Sequence, residues 1–269
     1  KSYSMWGEDV FVQKYFKNLD KGFYVDVGAY HPYFWSNTHL LFKKNWEGIN
    51  IDINPLSVEL FNYVRPNDYN INADKIEQAI TSRTKAIIPI HWSGLICDME
   101  KISNIAKEHN LYIVEDACHT MGSFYRDKHM GHFSDVSIFS FATPKIITTG
   151  QGGMLVTDNK ELYEKYRMIK DFGRDVDKKH NMRKAFEHVI IGFNFKFTEF
   201  QAAVGIAQMK KLSKRVEHKK NMFKIYRDIL EKVRGIEFLE TNLDEIVPWF
   251  NDIFLPSNKV RNNLIEHLN

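Results

Sequence analysis

From Phe23 to Thr157, short apolar runs alternate with stretches in which apolar residues recur every three or four positions. No other feature restricts the fold as much. Such alternation is what repeated strand and helix units need when they build a sheet with helices packed on it. The runs that read as strands are 23–27, 48–53, 86–91, 112–115, 136–141 and 153–156. Between them, 98–109 and 160–170 carry the helical period, the second after an Asp158-Asn159 start signal. The pattern predicts an α/β architecture with a parallel sheet covered on both faces. Beyond Thr198 the alternation stops, and Ile206, Met209, Leu212, Val216, Phe223 and Tyr226 fall at helical spacing in a segment that runs to Gly235. One long amphipathic helix, or two in series, is expected there.

Composition narrows the chemistry such a scaffold carries. With 269 residues, 43% of them hydrophobic and 26% charged, the chain can build a core for one large or two modest domains. A net charge of +3 argues against nucleic acid and for small-molecule chemistry. Lys210–Arg234 holds ten Lys/Arg against three Asp/Glu, which reads as the solvated side of a helix. Cys97 and Cys118 both fall in regular structure, as expected of a reduced, cytoplasmic protein. No apolar run reaches about 18 residues and the N-terminus lacks a signal-like stretch, so no membrane segment is expected.

The chemistry concentrates in Val136-Ser-Ile-Phe-Ser-Phe-Ala-Thr-Pro-Lys145 and the Thr/Gly-rich turn that leads from it to Gly153. A lysine at a strand end beside a tight turn can be partly desolvated, which lowers its pKa and makes its amine competent for a Schiff base. Taken alone, Lys145 is more often a surface lysine. Upstream, Leu111-Tyr-Ile-Val-Glu-Asp116 is an apolar strand ending in carboxylates, and the end of such a strand faces the ligand crevice of a parallel sheet. An Asp there can keep a cofactor's pyridine nitrogen protonated; it can equally cap a helix. His119, three residues on, reads either as a hydrogen-bond partner of a cofactor's phenolic oxygen or as a core histidine.

Together Thr84–Gly94, Asp98-Met99, Val114-Glu-Asp-Ala-Cys-His119, Phe139-Ser-Phe141 with Lys145, and Gly192-Phe-Asn-Phe195 through Thr198-Glu-Phe-Gln-Ala-Ala203 resemble the DegT/StrS sugar aminotransferases from about Asn70 to the C-terminus. The resemblance implies a fold-type-I pyridoxal-phosphate (PLP) domain and transfer of an amino group from glutamate to a nucleotide-linked keto-sugar, for surface polysaccharide or glycan biosynthesis. It also implies a homodimer with active sites at the subunit interface. By the same likeness Lys145 is the Schiff-base lysine and Asp116 the partner of the pyridine nitrogen. His119 stands near the phenolic oxygen, Ser140 binds the cofactor phosphate, and Asn194 reaches the neighbouring subunit's phosphate site. A dehydratase branch of the family has histidine in place of the lysine, so Lys145 favours transamination. Pro248-Trp-Phe-Asn-Asp-Ile253 resembles the start of the small C-terminal domain, especially in perosamine-synthase-like members.

Residues 1–69 read differently. Gly22–Pro32, Ser36-Asn-Thr38 and Trp46–Pro55 resemble FkbM-type methyltransferases, in which Asp26 and Gly28 would hold S-adenosylmethionine and Asp52 would accept its ribose hydroxyls. The expected organisation is therefore a partial Rossmann-like βαβ fragment (1–69), a PLP-binding large domain incomplete at its N-terminus (70–235) and the beginning of a small domain (236–269). The family's helix N-terminus for the phosphate and its aromatic ring for the pyridine have no counterpart in the first seventy residues. Two readings of that junction stand side by side: a fusion of two gene fragments with impaired activity, or a substitution of the missing strands by the first two. A methyltransferase-derived fragment and a non-catalytic remnant are the alternatives to an aminotransferase.

Overall fold

Strand by strand, the apolar runs fold much as their side chains dictate. The computed structural model describes residues 23–27 and 47–51 as backbone, and 70–175 and 187–268 with side chains. The chain divides into two compact units, Lys1–Val64 and Arg65–Asn269. In the first, β1 (Phe23–Val27) and β2 (Glu47–Ile51) pair in parallel, with Asp26 opposite Asn50. Gly28 and Asp52 lie outside the described residues.

The second unit begins with a short helix, α1 (Ile76–Ala79), followed by β3 (Ala86–Ile87), helix α2 (Met99–Glu108) and β4 (Tyr112–Asp116). A hairpin of β5 (Phe124–Tyr125) and β6 (Lys128–His129) precedes β7 (Val136–Ser140) and β8 (Gly153–Val156). The four longer-range strands form one sheet in the order β3-β4-β7-β8. β3, β4 and β7 run parallel, but β8 returns antiparallel to β7, with Ser140 opposite Gly153. The sheet is therefore mixed rather than wholly parallel. A parallel neighbour needs a crossover, usually helical, and the segment after β7 instead turns back at once, Phe141 N–H donating to Gly152 O at 2.8 Å.

The strand expected over 86–91 is also shorter than its apolar run. Pro89 has no N–H to give the ladder, and beyond Ile87 only an isolated bridge, Ile90 to Asp116, continues it. Nor is the sheet covered throughout: Met154 and Leu155 on β8 are 45% and 49% exposed.

The core lies between α2 and the sheet. Asp98 caps α2 by accepting from Lys101 N–H at 3.2 Å, so the helix starts one residue inside its sequence pattern. Its Met99, Ile102, Ile105 and Ala106 bury against Ile87, Ile113 and Phe139. Each large side chain removed from water in this way contributes about 1.5–3 kcal/mol.

Helix α3 (Lys160–Lys170) follows β8, capped by Asn159. The long amphipathic stretch is two helices in series, α4 (Glu199–Met209) and α5 (Leu212–Leu230). Thr198 and Gln201 close a reciprocal capping box at the start of α4. Residues beyond α5 form an antiparallel pair, β9 (Glu237–Phe238) with β10 (Ile253–Phe254), and helix α6 (Asn258–Leu268). Between β9 and β10 the chain folds back, so that Val247 and Trp249 join Ile146, Leu212 and Val216 in a second core cluster. No helix among the described residues is long and apolar enough to cross a membrane.

Candidate active site

Three chain segments converge at the C-terminal ends of β4 and β7. β4 delivers Asp116 as its last residue and β7 delivers Ser140 as its last. Asp116 is fixed at both ends of its peptide unit: its N–H donates to Pro89 O at 2.9 Å and its carbonyl accepts from His91 N–H at 3.3 Å. Its Oδ1 accepts from Cys118 N–H at 3.0 Å. Ser140 Oγ is partly buried and accepts from Ala142 N–H at 3.3 Å. The next turn is pinned by Lys145 N–H to Ala142 O and Thr149 N–H to Phe141 O, both 3.0 Å. Ile146 and Ile147 are buried immediately after Lys145. Arg215 on α5 donates to Ile146 O at 2.6 Å, which ties the turn to that helix.

Lys145 is thus held on a closed loop with its amine half out of water. Burial lowers its pKa, against an opposing pull from Cys118 and Asp116. The same burial acts on its neighbours. It pushes the Cys118 thiol up to about 12, helped by Asp116, and brings His119 down to about 4, helped by the Lys145 charge and opposed by Asp116. At neutral pH, then, His119 is an uncharged imidazole and Cys118 a thiol. Asp116, Cys118, His119 and Lys145 form one electrostatic neighbourhood.

One wall of that neighbourhood is aromatic and comes from the far end of the sequence. The Trp249 ring stacks on His119 with centroids 5.0 Å apart and planes at 3°. Lys145 Nζ lies 4.5 Å from the centroid of the same indole, a cation–π distance. The Trp249 backbone is docked by its N–H on Ser93 O at 2.8 Å. The turn that receives it, Trp92–Gly94, puts Ser93 at φ 56 and Gly94 at φ 90, and a Cβ on Gly94 would sit 2.6 Å from Val247 O. Glycine is required there on both counts.

Behind Asp116 lies a buried polar network. Glu115 is fully buried; its Oε1 accepts from Gly131 N–H at 3.0 Å, and its Oε2 from the Ser134 and Ser137 hydroxyls, both at 2.9 Å. His91 Nε2 lies 3.2 Å from Oε1, and His91 Nδ1 accepts from Cys97 N–H at 3.2 Å. A backbone N–H aimed at Nδ1 makes the ring the Nε2–H tautomer, donating to Glu115. Burial pushes the Glu115 carboxyl up, but the hydrogen bonds from His91, Ser134 and Ser137 outweigh it and hold the group below its usual range.

Of the residues expected at the site, Asp116, His119 and Lys145 act on one another, and Ser140 ends the neighbouring strand β7. Asn194 belongs to another segment: its backbone bridges Asp171, its side chain is exposed, and no described contact ties it to Lys145. Asp26 stands one residue before the end of β1, in the other unit. Trp249 and the pair His91–Glu115 were missed as site residues. Both signals were in the strings Pro248-Trp-Phe and Ile90-His-Trp, read only as family motifs. The basic face of α5 reads as solvated in the sequence, whereas Arg215 and Lys219 turn partly inward.

Residues 56–269 match the DegT/DnrJ/EryC1/StrS aminotransferase family. An uncharacterized protein of Methanocaldococcus jannaschii is 38% identical over 191 residues, 70% of this chain and 50% of the relative. GDP-perosamine synthase of Caulobacter vibrioides is 38% identical over 168 residues, 62% of this chain and 44% of the relative. The chain thus spans about half the length of the curated relatives it matches. Among solved structures, NtdA of Bacillus subtilis with bound cofactor PMP is 27% identical with a TM-score of 0.69, covering 97% of this chain and 56% of that one. Helicobacter pylori PseC, at 24% identity and a TM-score of 0.72, covers 97% of this chain and 67% of its own and shares the fold.

Proposed function

The chain belongs to the DegT/DnrJ/EryC1/StrS aminotransferase family, and on that premise we propose that it carries PLP on Lys145 and transfers an amino group from glutamate to a nucleotide-linked keto-sugar. The observation that carries this reading is the Lys145 amine, half-buried on a pinned loop, sharing one crevice with the Asp116 carboxylate at the end of β4. The donor set suits a pyridine ring with a phosphate arm: an amine of depressed pKa, a fixed carboxylate, a neutral imidazole and a strand-end hydroxyl. PLP bound there would supply the electron sink that lets an amino group leave an amino acid and join a carbonyl.

The protein's part is positioning and proton transfer. Asp116 keeps one carboxylate oxygen on Cys118 N–H and leaves the other for the ring nitrogen. His119, neutral at pH 7, can hold a phenolic oxygen without adding a positive charge beside Lys145. Ser140 Oγ offers a hydroxyl to the phosphate. Lys145 Nζ, once free of the cofactor, is the base placed to take and return the substrate proton, and burial, by lowering its pKa, favours the neutral amine that this work needs. Asn194 serves the neighbouring subunit's site in a homodimer, a role supported by its exposure among exposed apolar residues such as Ile191 and Phe195. A nucleotide-sugar substrate is supported by the relatives, GDP-perosamine synthases among them, and a polysaccharide pathway by the spore coat polysaccharide biosynthesis protein of Bacillus subtilis, 32% identical over 189 residues.

For residues 1–69 the proposal is an FkbM-like fragment, supported by its motif string and by the parallel pairing of β1 and β2 with Asp26 near the strand end. S-adenosylmethionine binding to the whole protein, measured by calorimetry, tests it; no heat of binding would remove that reading. For the main proposal the test is a PLP titration followed by glutamate. Absorbance of bound cofactor should appear, shift on adding glutamate, and yield one 2-oxoglutarate per cofactor. Protein that takes up PLP but leaves glutamate unchanged would sink the transamination reading.

A further inference from the structure

Lys145 is not the only lysine on the Trp249 ring. Lys219, from the middle of α5, places its Nζ 5.6 Å from the same indole centroid and donates to Trp249 O at 2.8 Å. It is half-buried, burial lowers its pKa, and among the described residues no carboxylate lies within ion-pair distance of it. Several other cations of this unit lie beside carboxylates: Arg174 by Asp171, Lys101 by Asp74, Arg126 by Glu100. A cation partly withdrawn from water without a counter-charge is unfavourable until an anion joins it. One Nζ hydrogen goes to Trp249 O, and an ammonium has three.

The ring that both lysines approach is held on several sides. Trp249 is 5% exposed, stacked on His119 and edge-on to Phe250 at 5.5 Å. Its backbone is fixed on the Ser93 carbonyl, and Ser93 Oγ in turn donates to Asp252. The geometry holds Lys219 at a set position relative to Lys145.

From this we infer that Lys219 is the anion anchor of the substrate site, binding a phosphate or carboxylate oxygen of the molecule whose reacting carbon is presented to Lys145. The inference rests on the reading of Lys145 as the reactive amine. Two substrate groups have this chemistry: the diphosphate of a nucleotide-sugar and the α-carboxylate of the amino donor. Charge is what Lys219 contributes, because its hydrogen bond to Trp249 O could be made by any neutral donor.

The test uses Lys219→Gln, which removes the charge but keeps a donor, and Lys219→Arg, which restores the charge. GDP and UDP binding is measured by calorimetry on the protein with and without PLP, and the glutamate half-reaction by cofactor absorbance. The expected result is a tenfold or greater weakening in Lys219→Gln of either nucleoside diphosphate binding or the KM for glutamate, with cofactor absorbance and melting temperature kept and most of the loss recovered in Lys219→Arg. Weakened GDP or UDP identifies the diphosphate, and a raised KM for glutamate identifies the carboxylate. If both are unchanged, or if Lys219→Arg behaves like Lys219→Gln, the charge has no such role and the inference is overturned. Failure of the native protein to take up PLP would instead remove the aminotransferase reading, while the calorimetric arm without PLP still decides whether Lys219 anchors an anion.

Discussion

At the scale of single residues, environment sets what each group can do. His119 and Asp116 stand three positions apart, yet burial beside Lys145 strips His119 of its charge while Asp116 keeps a peptide N–H on one oxygen. The folded value of His119, about 4, lies below its ordinary 6.5, so the unfolded chain binds more protons between those pH values. The stabilisation from keeping His119 neutral is complete above about pH 6.5 and is lost as pH falls toward 4, an effect on the order of 1 kcal/mol for a half-exposed ring. Melting curves of native protein and His119→Asn at pH 4.5 and 7.5 check it. Native protein should lose more stability on acidification than the variant, and parallel losses would contradict the assignment. Asp116→Asn preserves shape and removes the charge meant for the pyridine nitrogen. Turnover should fall by about a hundredfold or more with melting temperature nearly unchanged, whereas unaltered turnover counts against that role.

At the scale of elements, the site depends on two supports that periodicity does not encode. The first is the turn at Gly94, whose positive φ and 2.6 Å approach to Val247 O admit no side chain. Gly94→Ala should cost about 1–3 kcal/mol, read by chemical denaturation, and should raise the exposure of Trp249 to a fluorescence quencher; a variant as stable as the native protein would refute the packing. The second is Glu115, whose removal strands four donors, from His91, Gly131, Ser134 and Ser137. Glu115→Ala should destabilise by several kcal/mol, more than an exposed acid such as Glu108, for which about 0.5 kcal/mol is usual.

Most elements were legible: 23–27, 153–156 and 160–170 fall where their patterns put them. Asp98 and His109 are caps of α2 rather than turns of it. The direction of β8 was not legible, because a 2-residue period is the same in either direction and the connecting Thr/Gly turn decides it. Asp116 and Lys145 stand out in the sequence because their strand ends are local, and Ser140 through the family resemblance. Trp249 and Lys219 arrive through tertiary packing more than 70 residues beyond Lys145, and neither the Pro248-Trp-Phe string nor the helical period of α5 says which segment the side chain will face.

At the scale of the whole molecule, apolar surface stands open where α4 and the segment before it run: Ile191 is 86% exposed, Phe200 79% and Ile206 62%. An apolar surface of this kind marks an interface, and the proposed homodimer covers it with a second copy. Light scattering should give twice the mass of 31.7 kDa, and Phe200→Glu with Ile206→Glu should shift the protein toward monomer and weaken PLP binding together. The central claim is that Lys145 holds the cofactor. The direct measurement is to saturate the protein with PLP, reduce it with borohydride, digest it and locate the phosphopyridoxyl group by mass spectrometry. The account predicts one adduct, on Lys145, absent from Lys145→Ala; a stoichiometric adduct on any other lysine, Lys219 included, would contradict it.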